Sequence, residues 1–128
     1  MDEWMQKVLL VMCGGGLGAA SRYAIGLLTV RWWGIQFPWG TLTVNLIGCF
    51  LIGLLFALAD RVRLLSPEMR LLLITGYLGA LTTFSTFSLE TVNAGRAGLT
   101  FLPWVNIALN NVGGLALTFC GMWLGSLK

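Results

Sequence analysis

The residues most able to do chemistry lie close together at positions 82–91. Six hydroxyl side chains and one carboxyl group, that of Glu90, occupy these ten positions. Phe84 and Phe87 lie among them, three positions apart, and would share one side of a helix. Ring edges carry partial positive charge, and hydroxyl groups donate hydrogen bonds. The run therefore offers an anion weak, repeated contacts, which suit an ion that must enter and also leave.

Polar side chains recur at helical spacing in two other apolar stretches. Thr41 and Asn45 are four positions apart, so one helix face would present both. A second stripe of the same spacing consists of Asn106, Asn110, Gly114 and Thr118. Such residues commonly join membrane helices to one another, and for each stripe by itself this is the stronger interpretation.

Arg22 and Glu90 are charged side chains near or inside apolar segments. A charge at the bilayer centre costs about 2.5–3.5 kcal/mol on insertion scales, so such residues usually face a cavity or a partner. Arg22 either extends to the membrane surface or attracts anions in an aqueous vestibule. Glu90 pairs with a cation, hydrogen-bonds as a neutral acid, or carries a coupled proton. The sequence leaves these alternatives open.

Composition limits the class of protein that holds these residues. The chain has 128 residues, of which 57% are hydrophobic and 10% are charged, whereas soluble domains carry about 25% charged residues. It has no histidine, the commonest general base and metal ligand, and no evident nucleophile–base pair, so we do not expect an enzyme. Its eight basic residues form no run, which argues against a nucleic-acid partner.

Charged residues and prolines divide the chain into four apolar segments. Each is long enough to cross a hydrocarbon core of about 30 Å as a helix. The sequence predicts a single integral membrane domain over residues 1–128, all-α, with spans at about 5–30, 38–59, 68–94 and 101–126. The glycine pairs at positions 14 and 18, and at 121 and 125, have the spacing of close helix contacts.

The third segment is expected to be broken mid-membrane, because Gly76 and Gly79 precede β-branched threonines. Non-helical backbone at that depth must lie inside protein or beside water. Four helices are too few to enclose a polar pathway, so we expect an oligomer. Basic residues favour cytoplasmic termini by only two or three residues, and so weak a bias leaves insertion in both directions possible.

Two motifs carry a resemblance to a known family. The runs GALTTFSTFS at residues 79–88 and PWGTLTVNLIG at residues 38–48 closely resemble signatures of the Fluc (CrcB) fluoride channels. The resemblance covers essentially the whole chain. It implies an antiparallel, dual-topology homodimer of four-helix subunits with separate fluoride pores. Its partners would be fluoride, the lipid bilayer of a bacterial inner membrane and a second copy of the chain, and cytoplasmic fluoride would leave by passive diffusion, reducing its toxicity.

The resemblance also implies roles for individual residues. Phe84 and Phe87 would line the pores. Other residues of the ion pathway would be Asn45, Ser85, Thr86, Thr41, Glu90 and Asn110. Arg22 would lie in the vestibule. Backbone carbonyls of Gly79 and Thr82 would hold a structural sodium ion, shared by both subunits and not transported.

Some features depart from the resemblance or allow another function. Ala80 stands where many relatives have a second glycine, and Asn110 and Gly114 stand where they often have hydroxyl or other polar residues. The alternative function is a proton-coupled exporter resembling the four-helix, dual-topology small multidrug resistance transporters. Those carry an essential glutamate in the first helix, whereas the first segment here contains Arg22 and no acid beyond its entrance. A non-transporting assembly subunit is a third possibility.

Overall fold

The structure is a computed structural model that describes residues 2–62 and 65–127, without the side chains of residues 61 and 62. Within these ranges the chain is helical and contains no strand. The helices long and apolar enough to cross a membrane are Glu3–Trp33, Trp39–Asp60, Pro67–Arg96 and Leu102–Ser126. We refer to them as spans 1 to 4. An all-helical chain with four membrane-capable helices is therefore confirmed.

Spans 1 and 2 are continuous helices, whereas spans 3 and 4 change geometry along their length. Helix α1 is Glu3–Trp33 and α2 is Trp39–Val62. Span 3 consists of α3 (Pro67–Arg70), π-helical turns over Leu71–Leu78, α4 (Gly79–Leu81) and α5 (Phe84–Arg96). Span 4 consists of α6 (Leu102–Ala108), π-helical turns over Leu109–Gly113 and α7 (Gly114–Ser126). π-Helical turns are rare and often occur at functional sites.

Local sequence explains where several helices begin and end. Gly34 follows α1 with a φ of 75°, a left-handed conformation open to glycine, and its N–H bonds to the Val30 carbonyl at 2.9 Å. Ser66 caps α3 by accepting a hydrogen bond from the Met69 N–H at 3.2 Å. Pro67 follows it in the first turn, where the missing N–H is harmless.

Glycines bring the backbones of neighbouring spans into contact. A Cβ atom at Gly14 or Gly18 of α1 would overlap a backbone carbonyl oxygen of span 3, that of Leu72 or Tyr77. A Cβ atom at Gly121 of α7 would likewise overlap the Phe50 carbonyl of α2. Without a hydrophobic driving force between helices in lipid, such close packing supplies much of the attraction. These contacts position span 3 against span 1, and span 4 against span 2.

Span 3 is interrupted by two residues in extended conformation. Thr82 has φ −82° and ψ 155°, and Thr83 has φ −151° and ψ 112°. They separate α4, which ends at Leu81, from α5, which begins at Phe84. The last helical bond before the interruption runs from the Thr82 N–H to the Leu78 carbonyl at 3.1 Å. The polar side chains of the next section gather around these two residues.

Candidate functional site

The side-chain amide of Asn45, on α2, binds the extended backbone of Thr83. Its Oδ1 accepts a hydrogen bond from the Thr83 N–H at 2.8 Å, and its Nδ2 donates to the Thr83 carbonyl at 3.2 Å. In a continuous helix the Thr83 N–H would donate to the carbonyl of Gly79, four residues back. Asn45 therefore replaces helical partners that the interrupted backbone lacks, and the Gly79 carbonyl is released from its helical bond.

The hydroxyl group of Thr83 caps the helix that follows. Its Oγ1 accepts from the Thr86 N–H at 3.2 Å and donates to Thr86 Oγ1 at 3.0 Å. Ser85 Oγ lies 3.3 Å from the same oxygen. Threonine is a favoured N-cap because its oxygen pairs with an N–H that has no helical partner. Part of the hydroxyl-rich run thus serves to restart the helix after the interruption.

A chain of amide hydrogen bonds extends from Asn45 into span 4 and back to span 3. Asn45 Nδ2 donates to Asn110 Oδ1 at 2.9 Å, and Asn110 Nδ2 donates to Asn106 Oδ1 at 2.9 Å. Asn106 Nδ2 donates to Thr91 Oγ1 at 2.9 Å, and that hydroxyl donates to the Phe87 carbonyl at 2.7 Å. Asn106 is fully buried. The chain links spans 2, 3 and 4 through polar atoms alone.

The two phenylalanine rings lie beside this cluster and contact each other. Their centroids are 5.4 Å apart, and the ring planes are inclined by 55°. Phe87 is 7% exposed, whereas Phe84 is 75% exposed. Both rings line a cavity of about 360 Å³ together with Asn45 and Asn110. The rings and the amides therefore border one space.

A second cavity, of about 750 Å³, is lined by the charged residues Arg22 and Glu90. Arg22 lines it and is partly exposed. Thr41 Oγ1 donates to Glu90 Oε1 at 2.8 Å, and both residues line the same cavity. Thr83 lines this cavity and the smaller one. The interruption of span 3 therefore borders both cavities.

The structure gathers the predicted site residues into two groups. The smaller cavity is lined by Phe84, Phe87, Asn45, Asn110, Gly79 and Thr82. The larger one is lined by Arg22, Thr41, Thr86 and Glu90. Ser85 is exposed, and neither cavity includes it. Sequence reasoning did not assign Asn106 or Thr91 to the site. The four-residue spacing of Asn106 and Asn110 was the available signal, while Thr91 was one hydroxyl among several.

The residues predicted to hold a cation fit an oxygen-ligand site. Within residues 2–62 and 65–127, no cluster of three or more His, Cys, Asp or Glu side chains could bind a metal. The carbonyl of Gly79 is released because Thr83 donates to Asn45, and Thr82 begins the extended backbone. Hard cations prefer oxygen ligands, including backbone carbonyls. Gly79 is exposed and lines the smaller cavity.

Comparison with known proteins identifies the family. A family model described as "CrcB-like protein, Camphor Resistance (CrcB)" matches residues 9–122. The chain is 45% identical over 123 residues to a protein of Dehalococcoides mccartyi, covering 96% of this chain and 95% of that protein. It is 46% identical over 121 residues to a protein of Agrobacterium fabrum (94% and 97% covered). It is 41% identical over 122 residues to one of Leptospira interrogans (95% and 96% covered).

Each of these three bacterial relatives is named "Fluoride-specific ion channel FluC". The relatives match over nearly the full length of both chains. The family model covers residues 9–122, which include most of each span and all of the residues around Thr83. The resemblance carried by the motifs at residues 38–48 and 79–88 is confirmed. With its four membrane-capable helices, the chain is a multi-pass membrane protein that belongs to the CrcB family.

Proposed function

We propose that this chain forms a fluoride-specific ion channel through which cytoplasmic fluoride leaves by passive diffusion, which reduces its toxicity. One observation carries the proposal. Two phenylalanine rings line the same cavity as side-chain amides where span 3 is interrupted, and Thr83 borders this cavity and the larger one. The relatives named as fluoride-specific channels support the choice of ion. The proposed activity is transport, with no covalent chemistry.

The geometry suits a small anion that must lose its hydration water and still pass through the channel. Arg22 would raise the local anion concentration in the larger cavity by its positive charge. Deeper along the route, the hydroxyl groups of Thr86 and Ser85 offer hydrogen bonds in place of water. Thr41, Asn45 and Asn110 border the route, but their hydrogens already donate within the protein. The edges of Phe84 and Phe87 offer only partial positive charge, so they hold an anion weakly. The proposed route requires no basic side chain beside the two phenylalanine rings.

The functional unit we propose is an antiparallel, dual-topology homodimer of four-helix subunits. One subunit leaves Phe84 75% exposed beside a polar interruption, which lipid tails would not solvate. A second copy facing this surface would enclose it. We further propose that Thr82 and Thr83 lie at the middle of the membrane, where extended backbone requires such cover. The weak charge bias of the sequence supports insertion in both directions.

We also propose that the carbonyls of Gly79 and Thr82, from both subunits, hold a structural sodium ion that is not transported. The bound ion would neutralise carbonyl dipoles that face one another across the dimer. Because a ligand bound to the folded state stabilises it, replacing sodium by a large organic cation should lower the thermal stability of the dimer. Equal stability in both salts would contradict a sodium site.

Fluoride efflux from vesicles tests the proposed function. Purified protein is reconstituted into liposomes loaded with potassium fluoride or potassium chloride, and efflux is started with a potassium ionophore and followed by ion-selective electrodes. We expect rapid fluoride efflux, little chloride efflux and no efflux from protein-free vesicles. Chloride leaving as fast as fluoride would refute the selectivity.

The Phe84→Ile variant tests the pore assignment in the same vesicles. The substitution keeps an apolar side chain but removes the ring edge, so we expect slower fluoride efflux. Unchanged efflux would contradict a pore role for Phe84. Proton movement driven by a cationic drug, and abolished by Glu90→Gln, would instead support the alternative exporter function.

A further inference from the structure

We infer that Thr91 and Asn106 are positioning residues, which fix the orientation of the Asn45 amide and, through it, the interrupted backbone at Thr83. The inference rests on the proposed function, because ion flux is its readout. Among the described residues that line the two cavities, neither Thr91 nor Asn106 occurs. Both therefore act through the groups that they touch.

The direction of the hydrogen-bond chain is set first at Thr91. Its hydroxyl has one proton, which it donates to the Phe87 carbonyl at 2.7 Å. Toward Asn106 the hydroxyl can therefore only accept. Asn106 must present its NH₂ group, and its Nδ2 lies 2.9 Å from Thr91 Oγ1. One hydroxyl thus selects one of the two orientations that the Asn106 amide could adopt.

With Nδ2 facing Thr91, Asn106 presents Oδ1 to Asn110, which donates to it at 2.9 Å. Asn110 Nδ2 also donates to the Asn106 backbone carbonyl at 3.0 Å, so two oxygens of Asn106 fix the orientation of the Asn110 amide. Asn110 in turn presents Oδ1 to Asn45, which donates at 2.9 Å. The Oδ1 of Asn45 is left facing the Thr83 N–H, at 2.8 Å. The donors run in one direction from the Thr83 N–H to the Phe87 carbonyl.

Both ends of this chain have a fixed polarity, which is why its direction matters. The Thr83 N–H can only donate, and the Phe87 carbonyl can only accept. Reversing a single amide would bring two donors or two acceptors face to face. Ordinary helix–helix association requires no such order, since any polar pair would serve.

The direction of these hydrogen bonds matters for stability because the groups that form them are buried. Asn106 is fully buried, so no water compensates a lost bond there. Asn45 also uses both amide hydrogens, one for the Thr83 carbonyl and one for Asn110. Without the Thr91 hydroxyl, the Asn106 amide loses the partner that selects its orientation. A reversed Asn106 amide would then disturb the two amides that lie between it and Thr83.

Hydroxyl variants at position 91 test the inference in the fluoride efflux assay. Thr91→Val keeps the shape and removes the hydroxyl, Thr91→Ala removes it by a second route, and Thr91→Ser retains it. The matched control is Thr118→Val on span 4. Thr118 is also partly buried and donates to the carbonyl four residues back, that of Gly114, at 3.0 Å. No bond joins it to the Asn45 chain among the described contacts.

We expect fluoride flux to fall about tenfold in Thr91→Val and Thr91→Ala, the factor that corresponds to one lost hydrogen bond. Thr91→Ser and Thr118→Val should stay within about twofold of the unaltered protein. Flux is normalised to the amount of protein that elutes as a single species, and Thr91→Ala provides the comparison where Thr91→Val is not recovered.

Three results would overturn the inference. They are normal flux without the Thr91 hydroxyl, an equal loss in Thr118→Val, or an equal loss in Thr91→Ser. The second would indicate a general effect of intrahelical hydroxyl bonds, and the third an effect of side-chain size. Absence of fluoride flux in the unaltered protein would instead refute the proposed function, so the two failures are distinguishable.

Discussion

Two kinds of contact hold the four spans together, and they differ in what they require of the sequence. Span 1 meets span 3 where Gly14 and Gly18 bring backbone against backbone. Around Thr83, spans 2, 3 and 4 meet instead through side-chain amides and hydroxyls at 2.7–3.2 Å. The first contact depends on the absence of side chains, and the second on their exact chemical type and orientation.

The difference follows from the state of the backbone at each place. Where the helices are continuous, their peptide groups are paired internally, and only close packing is needed. Where span 3 is extended, the Thr83 N–H and carbonyl need partners, which Asn45 supplies. Glycine contacts therefore govern whether the spans assemble, while the side-chain amides and hydroxyls govern the backbone conformation at Thr83, which lines both cavities.

The largest effect is expected from breaking the glycine contact. In Gly14→Ala the new Cβ would overlap the Leu72 carbonyl oxygen and lie 2.9 Å from the Tyr77 nitrogen. Both are backbone atoms and cannot rotate aside, so spans 1 and 3 must separate. Overpacking of this kind costs about 1–3 kcal/mol or more. We expect a marked loss of monodisperse protein and a lower unfolding midpoint in detergent.

Gly16→Ala is the control for this prediction. A Cβ atom at Gly16 would meet nothing within 4 Å. Alanine also favours a helix over glycine by roughly 0.5–1 kcal/mol. We expect a midpoint equal to or slightly above that of the unaltered protein. Equal losses in Gly14→Ala and Gly16→Ala would show that close backbone contact is not what matters at Gly14.

The next largest effect is expected from breaking the amide cluster at its centre. Asn45→Leu leaves three groups unpaired, the Thr83 N–H, the Thr83 carbonyl and Asn110 Oδ1, and each unpaired buried group costs about 1–3 kcal/mol. We expect fluoride flux to fall about a hundredfold, which corresponds to three such losses at the lower end of this range. The measurement is efflux per amount of folded protein, alongside the unfolding midpoint.

The Asn111→Leu variant tests whether fluoride flux depends on the amide hydrogen bonds or only on the polarity of the cavity. Asn111 lines the same cavity but is exposed, and it donates only to the Ile107 carbonyl of its own helix at 2.8 Å. We expect flux within about twofold of the unaltered protein. A loss as large as that of Asn45→Leu would mean that cavity polarity, rather than the bond to Thr83, controls flux.

The smallest effect is expected at Arg22. Its charge acts on anions at longer range than either kind of contact between the spans. In Arg22→Ala we expect about threefold lower flux at low ionic strength, from weaker attraction of anions. The difference should diminish in about 1 M salt, where the screening length falls to about 3 Å. Efflux at several salt concentrations measures it.

Arg22→Lys and Arg96→Ala complete the Arg22 experiment. Lysine keeps the charge and should keep the flux. Arg96 is an exposed arginine at the end of α5, outside the lining of both cavities, and its loss should leave flux unchanged. An Arg22 effect that is independent of salt would contradict attraction by charge.

Much of the fold could be predicted because it depends on local properties. Apolar length, the positions of Pro38, Pro67 and Pro103, and the intervals between charges mark four helices without reference to one another. The glycine contacts also follow from spacing within a single helix, as at Gly14 and Gly18. The π-helical turns of Leu71–Leu78 have no comparable signal in the local sequence.

The candidate site could be predicted by residue type but not by pairing. Asn45 and Thr83 are 38 positions apart, and Asn45 and Asn110 are 65 apart. A hydrogen bond over such separations depends on the relative placement of whole spans, to within a few tenths of an ångström. Thr91 and Asn106 were missed for the same reason, since neither lines a cavity and their role depends on their neighbours.

The sequence by itself determined that the chain crosses a membrane and concentrates its hydroxyl side chains, with two phenylalanines, in one segment, because hydrophobic length and residue type are local. Only the tertiary structure decided which side chain completes the interrupted backbone and in which direction the amides point. Hydrogen-bond polarity is settled between groups that meet in space, and at Thr83 those groups come from three different spans.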